Sequence, residues 1–200
     1  MTRHKSPYAG APPTRWARIT RKLIDAHPID IDEIVRVVLQ FWDDLLKSAI
    51  GGKPFRIGVD LLPKPQIMAF FLHEMVPLEL ASRYPNTWRG DSEVDEKDIV
   101  YIPDPALSIE IKTSSHPTQI FGNRSYAQKT SKAKKSKSGY YLAINFQKFS
   151  RSGASPRITR IRFGWLDHED WTGQNAPTGQ QARLSNEVER YKLLQLYSHE

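Results

Sequence analysis

The 200-residue chain contains no cysteine. That absence excludes disulfide bridges and thiolate zinc sites, and it suits a reducing compartment. No apolar run approaches the roughly 20 residues of a membrane span, and residues 1–18 lack the apolar centre of an export signal. A soluble cytoplasmic protein with no membrane partner is therefore expected. Several common catalytic signatures are missing as well: there is no G-x-x-x-x-G-K-[ST], no G-x-G-x-x-G and no G-x-S-x-G. His73-Glu74 does not open an H-E-x-x-H zinc helix, because Pro77 stands where the second histidine belongs. His168-Glu169-Asp170 is too local to cage a metal.

The most informative absence is of acid. Residues 113–166 contain no Asp or Glu, yet they carry eleven basic side chains: Lys129, Lys132, Lys134, Lys135, Lys137 and Lys148, with Arg124, Arg151, Arg157, Arg160 and Arg162. The formal charge of +7 comes from this block, and the rest of the chain is net acidic. A charge run is ordinarily a solvated face, but a stretch this long without one acid fits a phosphate backbone lying along it. Within it, Gln119, Asn123, Arg124 and Gln128 have the chemistry to read base edges, Arg favouring guanine and Asn or Gln favouring adenine. Ser114, Ser115, His116 and Tyr126 add donors and acceptors, and Lys129, Lys132, Lys134 and Lys135 add charge for phosphates.

Immediately before this block, residues 98–112 read as a β-hairpin. Its arms are rich in Ile, Val, Leu and Tyr, and the tip Pro103-Asp104-Pro105 can neither pair nor continue a strand. Antiparallel partners sum to a constant, so this tip sets Ile102 against Ala106, Val100 against Ser108 and Asp98 against Glu110. Opposed Cβ atoms lie roughly 5 Å apart, close enough for two carboxylates to grip one divalent cation. Lys112 emerges on the Glu110 face, while Ile109 and Ile111 point to a core. Acids beside a basic arm are the layout of a metal-dependent nuclease.

Two hundred residues fit one domain, placed at 14–200 behind a flexible Pro- and Gly-rich arm at 1–13. A basic amphipathic helix is expected at about 14–26. A second runs from the Asp30 N-cap, with Glu33 in a capping-box position, through an apolar stripe ending near Ile50 before Gly51-Gly52. Further expectations are a short strand at 55–59, a helix at about 66–83 kinked or restarted by Pro77, and a strand at 87–90. After the hairpin come a helix at about 125–137, strands at 140–146 and 157–165, and an amphipathic tail helix at about 180–197. Strand, helix and strand after the hairpin give a mixed sheet flanked by helices.

Asp98 followed by Glu110-Ile111-Lys112 resembles the D…(D/E)-x-K signature of the PD-(D/E)XK nucleases, in particular the type II restriction endonucleases. The string I-E-I-K-T-S-S-H-P-T-Q-I-F-G-N-R-S-Y-A-Q, followed by G-Y-Y-L-A-I-N-F, resembles their ScaI-type group. The resemblance implies an α/β fold with an αβββαβ core spanning about 66–146. It also implies Mg²⁺-dependent hydrolysis of double-stranded DNA at a short palindromic site, leaving 5′-phosphate and 3′-hydroxyl ends. Asp98, Glu110 and the Ile111 carbonyl would hold the metal, Lys112 would orient or help deprotonate water, and Glu74 would be a further acid from the preceding helix. A C₂ homodimer and a cognate DNA methyltransferase follow from the same resemblance, with the dimer interface expected on helix 31–50 and the tail. One departure is that Lys97, not Pro, precedes Asp98. The literal Pro103-Asp104 lies at the hairpin tip, only six residues before Glu110. Asp95 is the reserve for the first acid. Two other readings remain: a structure-selective or repair nuclease of the same fold, and a non-catalytic DNA-binding domain using the basic block alone.

Overall fold

The computed structural model describes residues 6–127, 136–150, 155–176 and 178–199. Within the arm expected at 1–13, Ser6 and Tyr8 contact the body, while Ala9, Gly10 and Pro12 are exposed. Tyr8 is buried with its hydroxyl 2.8 Å from Thr20 Oγ1, and the Ser6 hydroxyl donates to Asp167 at 2.7 Å. Helix α1 (Pro13–Asp25) follows, with proline at its first position, where no N–H is needed. Arg15, Arg18, Arg21 and Lys22 stay on its outer side, and Thr20 and Ile24 turn inward.

Helix α2 (Ile31–Lys47) begins where Asp30 accepts the amides of Asp32 and Glu33 at 2.9 and 3.0 Å. Glu33 binds Arg83 and Arg36, which hold its carboxyl below the usual range. The stripe Ile34, Val37, Val38, Phe41, Trp42 and Leu45 is buried in the chain's own core. The helix stops at Lys47, short of the expected glycines. Strand β1 (Ala49–Ile50) instead pairs with β2 (Phe55–Arg56), and Gly51, with φ of 91°, makes the turn between them.

Helix α3 (Pro65–Arg83) runs unbroken through Pro77. That proline is buried, and packing of Met68, Leu72, Val76 and Leu80 against the core keeps the helix going where the chain alone would break it. Then come β3 (Trp88–Gly90), β4 (Ile99–Tyr101), β5 (Ile109–Ser114), β6 (Phe121–Asn123), β7 (Gly139–Phe146), β8 (Ile158–Leu166), β9 (Thr172–Gly173), β10 (Gln181–Arg183), α4 (Asn186–Tyr191) and β11 (Leu193–Ser198). The main sheet has the order β11-β8-β7-β5-β4-β3. Its β5–β7 pair is parallel and the others antiparallel, so it is the expected mixed sheet. Every residue of β7 is buried, as a central strand covered on both faces requires. Side chains of α1, α2 and α3 pack on one face with Ile109, Ile111, Leu142 and Ile144. A second cluster, including Ile120, Tyr141, Trp171 and Leu184, covers the other, beside the small β6-β10-β9 sheet.

One expected helix differs. The tail is a six-residue helix followed by an edge strand, because β8 offers an open edge that residues 193–198 pair with. Gly164 on β8 permits it, since any Cβ there would collide with the Lys192 carbonyl. Of the helix at 125–137, the structure shows only a 3₁₀ turn over Arg124–Ala127 at its start, and residues 128–135 lie outside the described residues.

Candidate active site

The register of the acidic hairpin is the one read from its tip. Ile99 stands opposite Ile109, which brings Asp98 beside Glu110. The connection itself is longer than three residues. Residues 102–108 contain a 3₁₀ turn over Pro105–Leu107, capped by Asp104 accepting the Ala106 amide at 3.0 Å. Ile102 does not pair with Ala106; its amide donates to Thr87 O at 3.0 Å. Buried His27, from the α1–α2 connection, clamps this tip. Its Nδ1 accepts the Ile29 amide at 3.1 Å, so Nε2 carries the proton and donates to Leu107 O at 2.9 Å. Burial beside Tyr140 and Phe163 pushes its pKa down to about 4.

On the opposite face of β5 lies a dense polar cluster. Asp98 Oδ2 accepts the Ile111 amide at 2.5 Å, with His73 Nδ1 of α3 at 3.7 Å from the same oxygen. Glu110 is only 3% exposed. Its Oε1 accepts from Lys112 Nζ at 2.7 Å and from the Tyr126 hydroxyl at 2.5 Å, and Lys97 Nζ is 3.6 Å from Oε2. Burial, reinforced by the Glu110 charge, pushes the Tyr126 phenol far above its ordinary pKa, so it remains a donor. The two ammonium groups rest on aromatic faces, Lys112 over Tyr126 at 4.8 Å and Lys97 over Tyr141 at 5.0 Å. Gly122 makes room for this arrangement: a Cβ there would lie 3.1 Å from the Tyr126 ring and 3.2 Å from Trp171.

The donor set suits a hard cation. Lys112 Nζ donates both to Glu110 Oε1 and to Ile111 O, at 3.0 Å, so two of the three oxygens expected to bind metal already converge on one positive charge. Among the described residues no group of three or more His, Cys, Asp or Glu could hold a metal ion. Two carboxylates and a carbonyl match Mg²⁺, which keeps several waters and takes few protein ligands.

The remaining expected residues divide by placement. Glu74 is exposed on α3, and the neighbouring His73 is the side chain that this helix brings to Asp98. Asp95 is exposed, and Glu96 is held by Arg89, which with the Ser92 amide lowers its pKa to about 2. Two expected DNA-contacting side chains turn inward, and a third, half-buried at the surface, bonds the chain's own backbone. Ser114 is buried with its hydroxyl accepting the His116 amide at 3.0 Å, Tyr126 serves Glu110, and Arg124 donates to the carbonyls of Ala176 and Gly179. His116 and Asn123 are exposed, Ser115 and Gln119 half-buried. Gln128, Lys129, Lys132, Lys134 and Lys135 lie outside the described residues. One member of the basic block, Arg162, is not a surface charge at all: it is buried in an ion pair with Glu189. Lys97 and His73 were not anticipated. A lysine where the family signature has proline was the available sign for the first, while His73 required knowing which face α3 presents.

Comparison with known proteins supplies a relationship over nearly the whole chain. A family model described as ScaI restriction endonuclease matches residues 6–197. A relative from Streptomyces caespitosus, "Type II restriction enzyme ScaI", is 47% identical over 195 residues, covering 96% of this chain and 85% of the relative. No solved structure matches.

Proposed function

The chain belongs to the ScaI restriction endonuclease family and is a site-specific endodeoxyribonuclease, and from that premise we propose that Asp98, Glu110 and Lys112 form its Mg²⁺-dependent catalytic centre. The observation that carries the assignment is the convergence of Glu110 Oε1 and Ile111 O on the Lys112 ammonium, with Asp98 anchored against the Ile111 amide beside them. Asp98, Glu110 and the Ile111 carbonyl would hold the metal through oxygen. Phosphodiester hydrolysis needs accelerations on the order of 10¹⁷, and bound Mg²⁺ would neutralise charge on the scissile phosphate.

The chain's own groups do the rest. Lys112 donates to the oxygen of the attacking water and keeps a positive charge where negative charge develops. Tyr126 and Lys97 fix the Glu110 carboxylate from two further directions, and the aromatic rings beneath the lysines limit water entry. The basic side chains of the acid-free block other than buried Arg162 would contact the phosphates of double-stranded DNA, with His116, Gln119 and Asn123 near the bases. A short palindromic target and a C₂ homodimer complete the reading, since one such centre cuts one strand and a two-fold target is met by a two-fold protein. The α2 stripe expected at the interface is buried within the chain, and in the tail, a short helix and an edge strand, Leu184, Val188 and Leu193 are buried as well. Among the described residues, seven of the eleven exposed large apolar side chains fall within residues 50–70, including Ile50, Phe55, Val59, Leu62, Ile67 and Phe70, and we place the subunit contact there. A cognate methyltransferase would protect the host's own sites, in a bacterial cytoplasm. Among the described residues no helix is long and apolar enough to cross a membrane.

The test is digestion of a long sequenced plasmid with and without Mg²⁺, followed by mapping of every end. Discrete fragments sharing one end sequence, formed only with the metal, are expected. Binding without cutting in Mg²⁺ overturns the catalytic centre, and cuts that follow branched structure rather than sequence point to a structure-selective nuclease.

A further inference from the structure

The loop over residues 115–119 leaves the end of β5, just beyond Lys112, and is held from beneath by side chains of three separate elements. Asn145 of β7, fully buried, donates its amide to the carbonyls of His116 at 2.8 Å and Gln119 at 3.0 Å. Its Oδ1 accepts from Arg162 of β8 at 3.0 Å, and Arg162 donates in addition to Thr118 O at 2.9 Å. Glu189 of α4 closes the network, pairing with Arg162 and accepting the Ile120 amide at 3.0 Å. A buried ion pair is a costly way to gain stability. Here it satisfies main-chain groups of an exposed loop and so fixes that loop's shape.

Strand register shows which way the loop faces. Asn145 lies beside Ser114, and Arg162 is opposite Ala143, which lies beside Lys112. With period-two alternation, the network therefore shares the sheet face of Glu110 and Lys112. The exposed His116 is the one aromatic ring on this loop, and it too is fixed. Its Nδ1 accepts the amides of Thr118 at 3.2 Å and Gln119 at 3.0 Å, and its ring packs edge-on against Phe121 at 5.8 Å. A nitrogen that accepts two amides carries no proton, so the neutral ring has its single N–H at Nε2.

We propose that residues 116–119 are a preformed specificity loop, in which the Nε2–H of His116 donates to an acceptor on a DNA base edge while Asn145, Arg162 and Glu189 act as positioning residues. The inference rests on the reading of the protein as a site-specific nuclease. Purine N7, guanine O6 and thymine O4 are the major-groove acceptors such a donor fits. The loop needs no ordering on binding, which favours discrimination between sequences over mere attachment.

The experiment compares wild type, His116→Ala and Asn145→Ala on long sequenced DNA with Mg²⁺. All cleaved ends are mapped, and kcat/KM is measured on the wild-type site and on every site differing from it by one base pair. For His116→Ala, the ratio between the wild-type site and sites altered at one position falls about tenfold or more, within the range of a single base contact. The melting temperature stays near wild type, because the ring is exposed. Asn145→Ala relaxes the same position, with an added loss of kcat/KM. Unchanged discrimination in His116→Ala overturns the proposal, as does a parallel loss of rate on all sites that follows lowered melting temperature. If Asn145→Ala does not fold, His116→Ala alone decides, because its side chain is exposed. If wild type itself yields no discrete fragments, the nuclease reading fails first and the specificity loop falls with it.

Discussion

Acidification should loosen the hairpin that carries the catalytic acids, and the group responsible is His27. Its Nε2–H holds Leu107 O and its Nδ1 holds the Ile29 amide, so protonation would force a second N–H against a donor already in place. Burial lowers its pKa from an ordinary 6.5 to about 4. Above pH 6.5 the ring is neutral in folded and unfolded chains, and its full contribution to stability is present. Between 6.5 and 4 the unfolded chain takes the proton and the folded one does not, so stability falls as the pH falls. Each tenfold change in proton affinity is worth about 1.4 kcal/mol, which gives a loss on the order of 3 kcal/mol by pH 4 and nothing further from this group below it. That is a large share of the 5–15 kcal/mol typical of a folded domain. The perturbation is His27→Leu, which removes the titration but leaves Leu107 O and the Ile29 amide without partners, at a cost of about 1–3 kcal/mol at pH 8. Urea unfolding followed by tryptophan fluorescence at pH 8, 6 and 4.5 measures both proteins, and carboxylate titrations common to both cancel in the difference. The stability deficit of the variant should shrink steadily as the pH drops and approach zero or reverse near 4.5. A deficit that stays constant across this range would refute the assignment of a neutral, tip-clamping His27.

Glu110→Gln and Lys112→Met should each lower cleavage on the order of 10²-fold to 10⁴-fold while leaving DNA binding and far-UV circular dichroism intact, as measured by plasmid digestion and gel shift. Asp98→Asn should behave in the same way and Asp95→Asn should cut normally; the reverse pair of results would move the first metal ligand to Asp95. Metal-free binding should weaken steeply with salt, and neutralising Lys134 and Lys135 together should lower the slope of log K against log salt by about 2 if both contact phosphates. An unchanged slope makes them a solvated face. Light scattering at micromolar concentration should give a dimer that Phe55→Glu with Phe70→Glu dissociates, and a monomer on DNA that releases mainly nicked circles would defeat the two-fold assembly.

How much was legible depends on how local the determining physics is. The Asp30 cap, the α1 pattern, the apolar runs of β7 and β8 and the hairpin register all follow from neighbouring residues, since capping, periodicity and pairing across a short connection are short-range. The D…E-x-K spacing and the string that follows it likewise carry the resemblance to the nuclease family within one contiguous stretch of sequence. Where a choice depended on partners distant in sequence, only the tertiary structure decided. Residues 193–198 could have continued a helix, and they became a strand because β8 had an open edge and Gly164 let the chain approach. Pro77 stayed inside α3 because the core packs on both sides of it. Arg162 reads as one more charge for phosphate, yet Glu189, 27 residues later, draws it into the interior beneath the 115–119 loop. Glu74 and His73 are adjacent in the chain, and the rotation of α3 against the sheet settles which of them meets Asp98. Composition and spacing specify which chemistry is available; the orientation of one element on another selects the side chains that perform it, because burial and hydrogen-bond geometry act on atoms brought together by folding rather than by sequence.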